Sequence, residues 1–224
     1  MRDRLARDPK AATVEGGPRR WDPLTYLCFS RYLRLDAARS EGFVRAAEAL
    51  LDAGADPNTG FHSDEHLPRP AFESVLYGAA GVAHHPGLTR LLLERGADPD
   101  DGGETAYHTP EGYDNRAMIL VVESGRLSGS DLTTMLHRKL DWCDFEGAAW
   151  LLAHGADPND VSHWGDRALH HALARENEAR FVELLLDHGA DASLPAPRCG
   201  GLSATEMAAR AGREDVLRLF EEGA

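Results

Sequence analysis

The sequence of 224 residues lacks the features that identify membrane proteins, secreted proteins and disulfide-stabilised proteins. It has no apolar run near the roughly 18 residues that cross a membrane, and no apolar segment follows the N-terminal arginines of a secretory signal. Its three cysteines, Cys28, Cys143 and Cys199, are odd in number and lack metal-type spacing, which argues against a disulfide framework. We expect Cys28 and Cys143 to lie in helices at the edge of the core. These absences predict a single soluble domain in the cytoplasm.

Motifs of covalent and phosphate chemistry are also absent. The sequence contains no Gly-x-Ser-x-Gly, no phosphate-binding glycine-rich loop and no His-Glu-x-x-His. We therefore predict no catalytic residues, no cofactor and no metal ligands. Lysine is scarce, with only Lys10 and Lys139, and the arginine bias is typical of a GC-rich, bacterial genome. The net charge of −13 opposes nucleic-acid binding, which depends on neutralising phosphates, and it favours a basic protein or peptide as partner.

What the sequence does contain is a repeat. The phrase Gly-Ala-Asp occurs four times, at Gly54, Gly96, Gly155 and Gly189, each time after a leucine-rich run. Gly155, Gly189 and Gly223 follow one another at intervals of 34 residues, a period typical of two helices and a turn. A glycine that ends a helix can adopt a left-handed backbone without a Cβ clash. An Asp-Pro pair after three of these glycines then prevents further helix and predicts an extended segment.

A second phrase opens each unit. Examples are Thr134-Met135-Leu136-His137 and Arg167-Ala168-Leu169-His170, whose histidines precede the closing glycine by 18 and 19 residues. Together the two phrases resemble the ankyrin repeat, in which Thr-Pro-Leu-His opens a first helix and Leu-Leu-x-x-Gly-Ala-Asp closes a second. The resemblance covers nearly the whole chain. It implies an all-α solenoid of stacked helix-turn-helix units joined by short extended fingers.

The predicted organisation is one domain, 1–224, with six units and an N-terminal half-repeat or cap. The basic, polar segment 1–20 fits such a cap, and it fits equally a chain that begins inside a longer protein or at a late start codon. Pro110 predicts a short or displaced first helix in the third unit, and about eleven extra residues around Arg34 to Gly42 predict a projecting loop in the first. The predicted units are 22–58, 74–101, 105–127, 134–160, 167–193 and 203–224.

The resemblance also implies a concave recognition face, formed by finger tips and by the ends of the first helices. Large aromatic residues and arginines at such positions suit binding hot spots. His137 and His170 are instead expected to bond neighbouring backbone. Trp142 could alternatively pack against the next unit. The predicted partner-binding residues are Phe29, Phe61, Asp101, Glu104, Tyr113, Asp141, Trp142, His163, Trp164, Arg175 and Arg210.

The favoured function is a non-catalytic scaffold that binds a protein or peptide in its concave groove, as a monomer and with no contact to nucleic acid or membrane. The alternative is an enzyme or small-molecule binder that uses a pocket on the same face, with residues such as Glu104, Asp141 and His163 as acid–base groups. The finger 59–70 contains His62, Asp64, Glu65 and His66 and could hold a metal, although a solvated loop is the simpler interpretation.

Overall fold

Helices form most of the chain, and they come in pairs. The structure is a computed structural model that describes residues 2–35, 37–63 and 71–222. In the first half of the chain the helices are α1 Arg2–Arg7, α2 Pro23–Cys28, α3 Tyr32–Leu35, α4 Ala37–Asp52, α5 Val75–Tyr77, α6 Pro86–Glu94, α7 Glu104–His108 and α8 Arg116–Glu123. In the second half they are α9 Gly129–Asp141, α10 Phe145–Ala153, α11 Ala168–Ala174, α12 Ala179–Asp187, α13 Ala204–Ala211 and α14 Glu214–Glu222.

Side-chain caps begin most of the first helices of the pairs. The carboxylate of Asp22 accepts hydrogen bonds from the first turn of α2, and Ser74 does the same for α5. Ser128 and Ser203 form capping boxes at α9 and α13. Each cap satisfies backbone N–H groups that have no partner within the helix. The capping box of Ser128 also explains why α9 begins at Gly129, five residues before the opening phrase predicts.

The repeated glycines end the second helices as the sequence predicts. Gly54, Gly96, Gly155 and Gly189 have φ angles of +94°, +93°, +100° and +84°. A side chain at these positions would be strained by the left-handed backbone even though the space around each is open. The glycines therefore fix the point at which the chain leaves each helix pair.

An asparagine ties one repeat to the next in two places. Asn58 donates to the carbonyl of Gly96 at 3.3 Å and accepts from the N–H of Asp98 at 2.7 Å. Asn159 makes the same two contacts, to Gly189 at 2.8 Å and from Asp191 at 2.8 Å. The Gly-Ala-Asp phrases at Gly96 and Gly189 are thus each hydrogen-bonded to the preceding repeat.

The chain forms two compact units, each made of several of the repeats described above; we call these larger bodies unit 1 and unit 2. Unit 1 contains the residues up to 109 and 114–127, and unit 2 contains 110–113 and the residues from 128 onward. In unit 1, α2, α5 and α7 pack in succession, as do α4, α6 and α8. In unit 2, α9, α11 and α13 form one such row and α10, α12 and α14 the other. Each unit therefore has a row of first helices and a row of second helices.

Each unit has its own apolar core between the two rows. In unit 1 the buried residues include Leu24, Leu50, Leu88 and Leu92. In unit 2 they include Met135, Leu136, Leu151, Phe181 and Leu185. Burial of such side chains contributes about 1.5–3 kcal/mol each relative to an exposed state, so the leucine-rich runs supply most of the stabilising free energy.

The core of unit 2 also contains a buried ion pair. The side chain of Lys139 is 1% exposed, and its Nζ lies 2.8 Å from Asp144 Oδ2. The ammonium also donates to the carbonyl of Gly112 at 2.6 Å. Asp144 accepts from the N–H of Gly147 and so caps α10. A Cβ at Gly147 would lie only 2.6 Å from the Asp144 carboxylate, so this position requires glycine for space.

A hairpin of two short strands forms the first finger of unit 1. Strands β1, Gly60–Ser63, and β2, Ala71–Ser74, are antiparallel, with Phe61 opposite Glu73. The predicted finger 59–70 therefore begins as a strand. The metal site predicted for this finger depends on Asp64, Glu65 and His66. These three residues lie outside the described residues.

Two predictions about local structure are wrong. The described residues between Arg34 and Gly42 do not form a projecting loop, because they belong to α3 and to the early turns of α4; the two alanines and two arginines of this stretch favour helix. Cys143 is not in a helix, since it follows the end of α9 with φ +49° and is exposed. Cys28 is buried in α2, and α7 ends two residues before Pro110, as predicted. None of the described helices is both long and apolar enough to span a membrane.

Candidate functional site

Five aromatic residues line a groove in unit 1. We call them the aromatic cluster: Trp21, Tyr26, Phe29, Phe61 and Tyr77. The rings of Trp21 and Phe61 stack with centroids 4.2 Å apart, and Phe29 packs edge-on against Phe61 at 5.0 Å and Tyr77 at 5.6 Å. The groove has a volume of about 960 Å³. Because each ring is only partly buried, the cluster offers apolar area that a bound molecule could cover.

The repeat framework positions these rings. Phe29 follows the last turn of α2, and Phe61 projects from β1. The hydroxyl of Thr59 donates to Asp22 Oδ2 at 2.8 Å, which ties the start of the finger to the cap of α2. A Cβ at Gly78 would lie 2.9 Å from the ring of Phe29, so α5 can approach that ring only with glycine there.

An exposed aromatic pair lies in unit 2. Tyr113 is 69% exposed and Trp142 is 39% exposed. The Tyr113 hydroxyl donates to the Trp142 carbonyl at 3.0 Å, and the two rings meet edge-to-face at 6.2 Å. Trp142 is the C-cap of α9. Trp142 therefore keeps part of its surface in contact with solvent.

Charged residues meet beside this pair. We call them the ionic cluster: His137, Arg138, Asp141, Asp166, His171 and Arg175. His171 lies between two carboxylates, with Nε2 2.8 Å from Asp141 Oδ1 and Nδ1 3.0 Å from Asp166 Oδ2. Arg138 and Arg175 also pair with Asp141. The side chains of His171 and both aspartates are largely buried, so these contacts exchange little with water.

Burial and pairing act in opposite directions on the pKa values of the ionic cluster. Burial by itself raises the pKa of Asp166, but interactions with His137, His171 and Ser162 outweigh it and hold that pKa well below the ordinary value. The same balance lowers the pKa of Asp141. Burial alone lowers the pKa of His171, and its bonds to Asp141 and Asp166 raise it overall. The two carboxylates therefore favour the protonated form of His171.

Comparison with known proteins identifies repeats in the second half of the chain. Residues 136–186 match the family model described as ankyrin repeats (many copies). The chain has an ankyrin-repeat fold. No curated protein sequence matches it. Among solved structures, the ankyrin repeat domain of Bcl-3, a member of the IkappaB protein family, is similar with 21% identity and a TM-score of 0.70 over 90% of this chain and 86% of that one. An ankyrin repeat domain from Acinetobacter baumannii AYE has 20% identity and a TM-score of 0.65 over 86% of this chain and 98% of that one.

These likenesses confirm the predicted all-α ankyrin-repeat fold. The matched stretch contains the ionic cluster and Trp142. Ankyrin repeats generally mediate protein–protein interactions, which agrees with the predicted class of function. The opening histidines behave as the resemblance implies, because His170 Nε2 bonds the carbonyl of Leu202 at 2.9 Å and His137 Nδ1 bonds that of Thr133 at 2.8 Å.

The remaining predicted contact residues differ in how free their side chains are. Asp101 is half-buried and accepts hydrogen bonds from Ser74 and Thr105. Glu104 lies in the first turn of α7, with its carboxylate 3.4 Å from His108 Nε2. Arg210 is exposed in the last turn of α13. A role of these three residues in partner binding stays a prediction.

A finger covers part of the ionic cluster. His163 is exposed and its ring lies 3.7 Å from that of Trp164. The half-buried Trp164 ring in turn lies 6.0 Å from His137 and 6.3 Å from His171. Burial and repulsion from His137 lower the pKa of His163, which favours its neutral form.

Some members of these two clusters do not occupy the repeat positions at which contact residues were predicted, and sequence reasoning missed them. Trp21 and Tyr77 belong to no predicted contact position, yet they complete the aromatic cluster. His171 was also missed, although the doublet His170-His171 could have indicated it. One histidine of the doublet, His170, makes the backbone hydrogen bond expected of the opening phrase, so the other is available for a different contact.

Proposed function

We propose that this ankyrin-repeat protein is a non-catalytic module that binds a protein or peptide partner in the groove its repeats form. The exposed pair Tyr113 and Trp142 is the observation that carries the proposal. Aromatic residues with this exposure dominate binding hot spots when a partner covers them. Neither ring is needed to fill the apolar core of unit 2, which the buried leucines and Phe181 occupy.

The geometry of the pair supports binding at low entropic cost. The hydrogen bond from Tyr113 to the Trp142 carbonyl and the edge-to-face contact hold both rings in the unbound protein. A partner therefore has fewer side-chain rotamers to fix when it binds.

Arginine at an equivalent position extends the surface. Arg175 is the C-cap of α11, as Trp142 is of α9, and its side chain is more than half exposed while its Nε contacts Asp141 at 2.6 Å. Arginine held this way can still donate to a partner's carboxylate or carbonyl. The net charge of −13 favours a partner that is basic as a whole, because charge sets encounter rate and partner choice. A monomeric state and a cytoplasmic location remain part of the proposal.

The test compares the intact chain with the double variant Tyr113→Ala, Trp142→Ala as bait for proteins of the source cell. We expect the intact chain to retain a partner that the variant loses, while far-ultraviolet circular dichroism and the Tm stay nearly unchanged. Trp150→Ala is the matched control, because Trp150 lies on the second helix α10 and stacks on His154 at 3.8 Å.

Other outcomes would count against this surface. Equal capture by the double variant would move the contact elsewhere. A cooperative loss of fold at a much lower Tm would show that the two rings stabilise the core. Loss of capture by Trp150→Ala alone would assign the contact to the second helices.

The aromatic groove of unit 1 favours a second candidate function, the binding of a small molecule. Arg19, Arg31 and Glu73 also line this groove, so its walls offer both apolar rings and charged groups to a ligand. Retention of a metabolite by the purified chain, and not of a protein, would favour this candidate.

A further inference from the structure

Three buried side chains in unit 2 place ligand atoms around one point. His137 on α9, His171 on α11 and Asp166 in the finger before α11 each offer one atom, and these atoms all lie within 4.8 Å of one another. His137 Nε2 is 3.4 Å from Asp166 Oδ1, and His171 Nδ1 is 3.0 Å from Asp166 Oδ2. Imidazole nitrogen with carboxylate oxygen is a ligand set that suits zinc and other divalent transition metals.

One of these atoms lacks a partner of its own. Since a carbonyl oxygen only accepts, His137 Nδ1 donates its hydrogen to Thr133, and Nε2 is the ring atom that faces Asp166 and can offer a lone pair to a metal ion. The His137 side chain is 1% exposed, and within the described part of the chain its Nε2 has no hydrogen-bond partner. A buried lone pair that faces a carboxylate oxygen is unfavourable unless a proton or a cation lies between them.

Each ligand is also held from behind. The Thr133 carbonyl fixes the ring of His137, Asp141 binds His171 Nε2 at 2.8 Å, and the hydroxyl of Ser162 donates to Asp166 Oδ1. In metal sites the second nitrogen of a ligating histidine is usually bonded to a carbonyl or a carboxylate, which orients the ring and raises its basicity. Both histidines of this set have that arrangement.

We propose that His137 Nε2, His171 Nδ1 and a carboxylate oxygen of Asp166 bind a divalent transition-metal ion of the Zn²⁺ class. With bonds of about 2.0–2.2 Å, a tetrahedral ion needs ligand atoms roughly 3.4 Å apart; the three atoms lie within 4.8 Å of one another, so small side-chain shifts would complete the site. The ion replaces the proton between His171 Nδ1 and Asp166, and that proton leaves to solvent. The guanidinium of Arg198 is 3.7 Å from Asp166 Oδ2, and its exposed side chain can withdraw to water.

Three protein ligands leave a fourth position on the ion for water or another small ligand. Trp164 lies over this region, with its ring 6.0 Å from His137 and 6.3 Å from His171. Binding would therefore draw together α9, α11 and the finger that carries Trp164, and stabilise the folded state of unit 2 by mass action.

The test titrates the metal-free full-length chain with Co²⁺ and with Zn²⁺. We expect one ion per chain by calorimetry, visible d–d absorption bands of low-coordinate Co²⁺, a higher Tm that a chelator reverses, and quenching of Trp164 fluorescence by Co²⁺. His137→Gln should weaken binding more than about 100-fold, since even outer-shell changes cost 10–100-fold. His163→Gln is the matched control, because that exposed imidazole lies next to the cluster and is not a ligand; it should bind as the intact chain does.

Trp164→Phe makes the test independent of whether His137→Gln folds. In this variant the d–d bands should persist while the Co²⁺ quenching of tryptophan fluorescence falls to the level of the other three tryptophans. If the intact chain shows no d–d bands and no Tm shift, the cluster holds only protons and the proposal is wrong. Loss of binding in His163→Gln with retention in His137→Gln would assign the metal to a surface histidine and would also overturn it.

Discussion

The two units carry different kinds of side chain at the ends of their first helices and in their fingers: aromatic in unit 1 and charged in unit 2. In unit 1 the end of a first helix and its finger present Phe29 and Phe61, which pack ring against ring. In unit 2 the corresponding helix end and finger present Asp141 and Asp166, which hold His171 between them. The repeat scaffold therefore fixes where these side chains lie and leaves their chemistry open, which is what a reusable binding scaffold requires.

The partners of buried carboxylates show the same contrast. Asp101 in unit 1 accepts hydrogen bonds from the hydroxyls of Ser74 and Thr105, and burial raises its pKa because these neutral donors compensate only in part. Asp166 in unit 2 is more fully buried, yet its imidazole partners lower its pKa. The carboxylate of Asp166 in unit 2 is thus paired with charged partners, whereas that of Asp101 in unit 1 is bonded to neutral hydroxyls.

The largest expected effect comes from removing a buried charge in unit 2. Lys139→Met keeps the length of the side chain but takes its ammonium away from Asp144 in the core. We expect a loss of about 3–5 kcal/mol in the free energy of unfolding, because a buried carboxylate then loses its cation. Urea titration followed by circular dichroism measures the change.

Two further variants sharpen this result. Arg116→Met removes an exposed ion pair with Asp114 and should leave the free energy of unfolding nearly unchanged. The double variant Lys139→Met, Asp144→Asn should recover part of the loss, since the amide oxygen can still cap α10 without a charge. A loss as small as that of Arg116→Met would mean that water reaches Lys139.

A smaller effect is expected from separating the stacked rings of unit 1. In a double-mutant cycle with Trp21→Ala and Phe61→Ala, the coupling free energy should be about 0.5–1.5 kcal/mol, the range of aromatic pairs in contact. The coupling should be the same at 0.1 M and 1 M salt, because neither ring carries a net charge. A coupling near zero, or one that salt removes, would contradict the view that unit 1 relies on neutral contacts.

Sequence reasoning predicted the fold well because the repeat is local. The leucine runs, the glycines at positive φ and the opening phrases each fit within about 34 residues, and each determines its own helix or turn. Pattern and structure agree wherever the determining contacts are close in sequence.

The candidate sites were predicted less well because their contacts join distant residues. Trp142 and Tyr113 were named from register, and their exposure fits that view, but the register gave no reason to expect a hydrogen bond between them. Asp101 was assigned to a binding surface by its place in a finger, while the structure gives its carboxylate to Ser74, 27 residues away. His171 meets Asp141 across 30 residues. Which polar side chains converge depends on how neighbouring repeats stack, and the repeat pattern does not contain that information.

The smallest expected effect tests the contrast between the carboxylates. The folded-state pKa of Asp101 lies above its unfolded value, so the carboxyl stabilises the fold fully below the ordinary pKa of 3.8 and this contribution is lost as pH rises through the folded pKa. Asp101→Asn removes the titration. The difference in unfolding free energy between the intact chain and the variant should therefore shrink as pH rises from about 4 toward 7, as measured by urea titrations of both proteins at each pH. If the difference instead grows with pH, the pKa of Asp101 is lowered, which means that a cation pairs with its carboxylate in solution. The pKa values of Asp101 and Asp166 would then be shifted in the same direction, and the contrast between the two units would not hold.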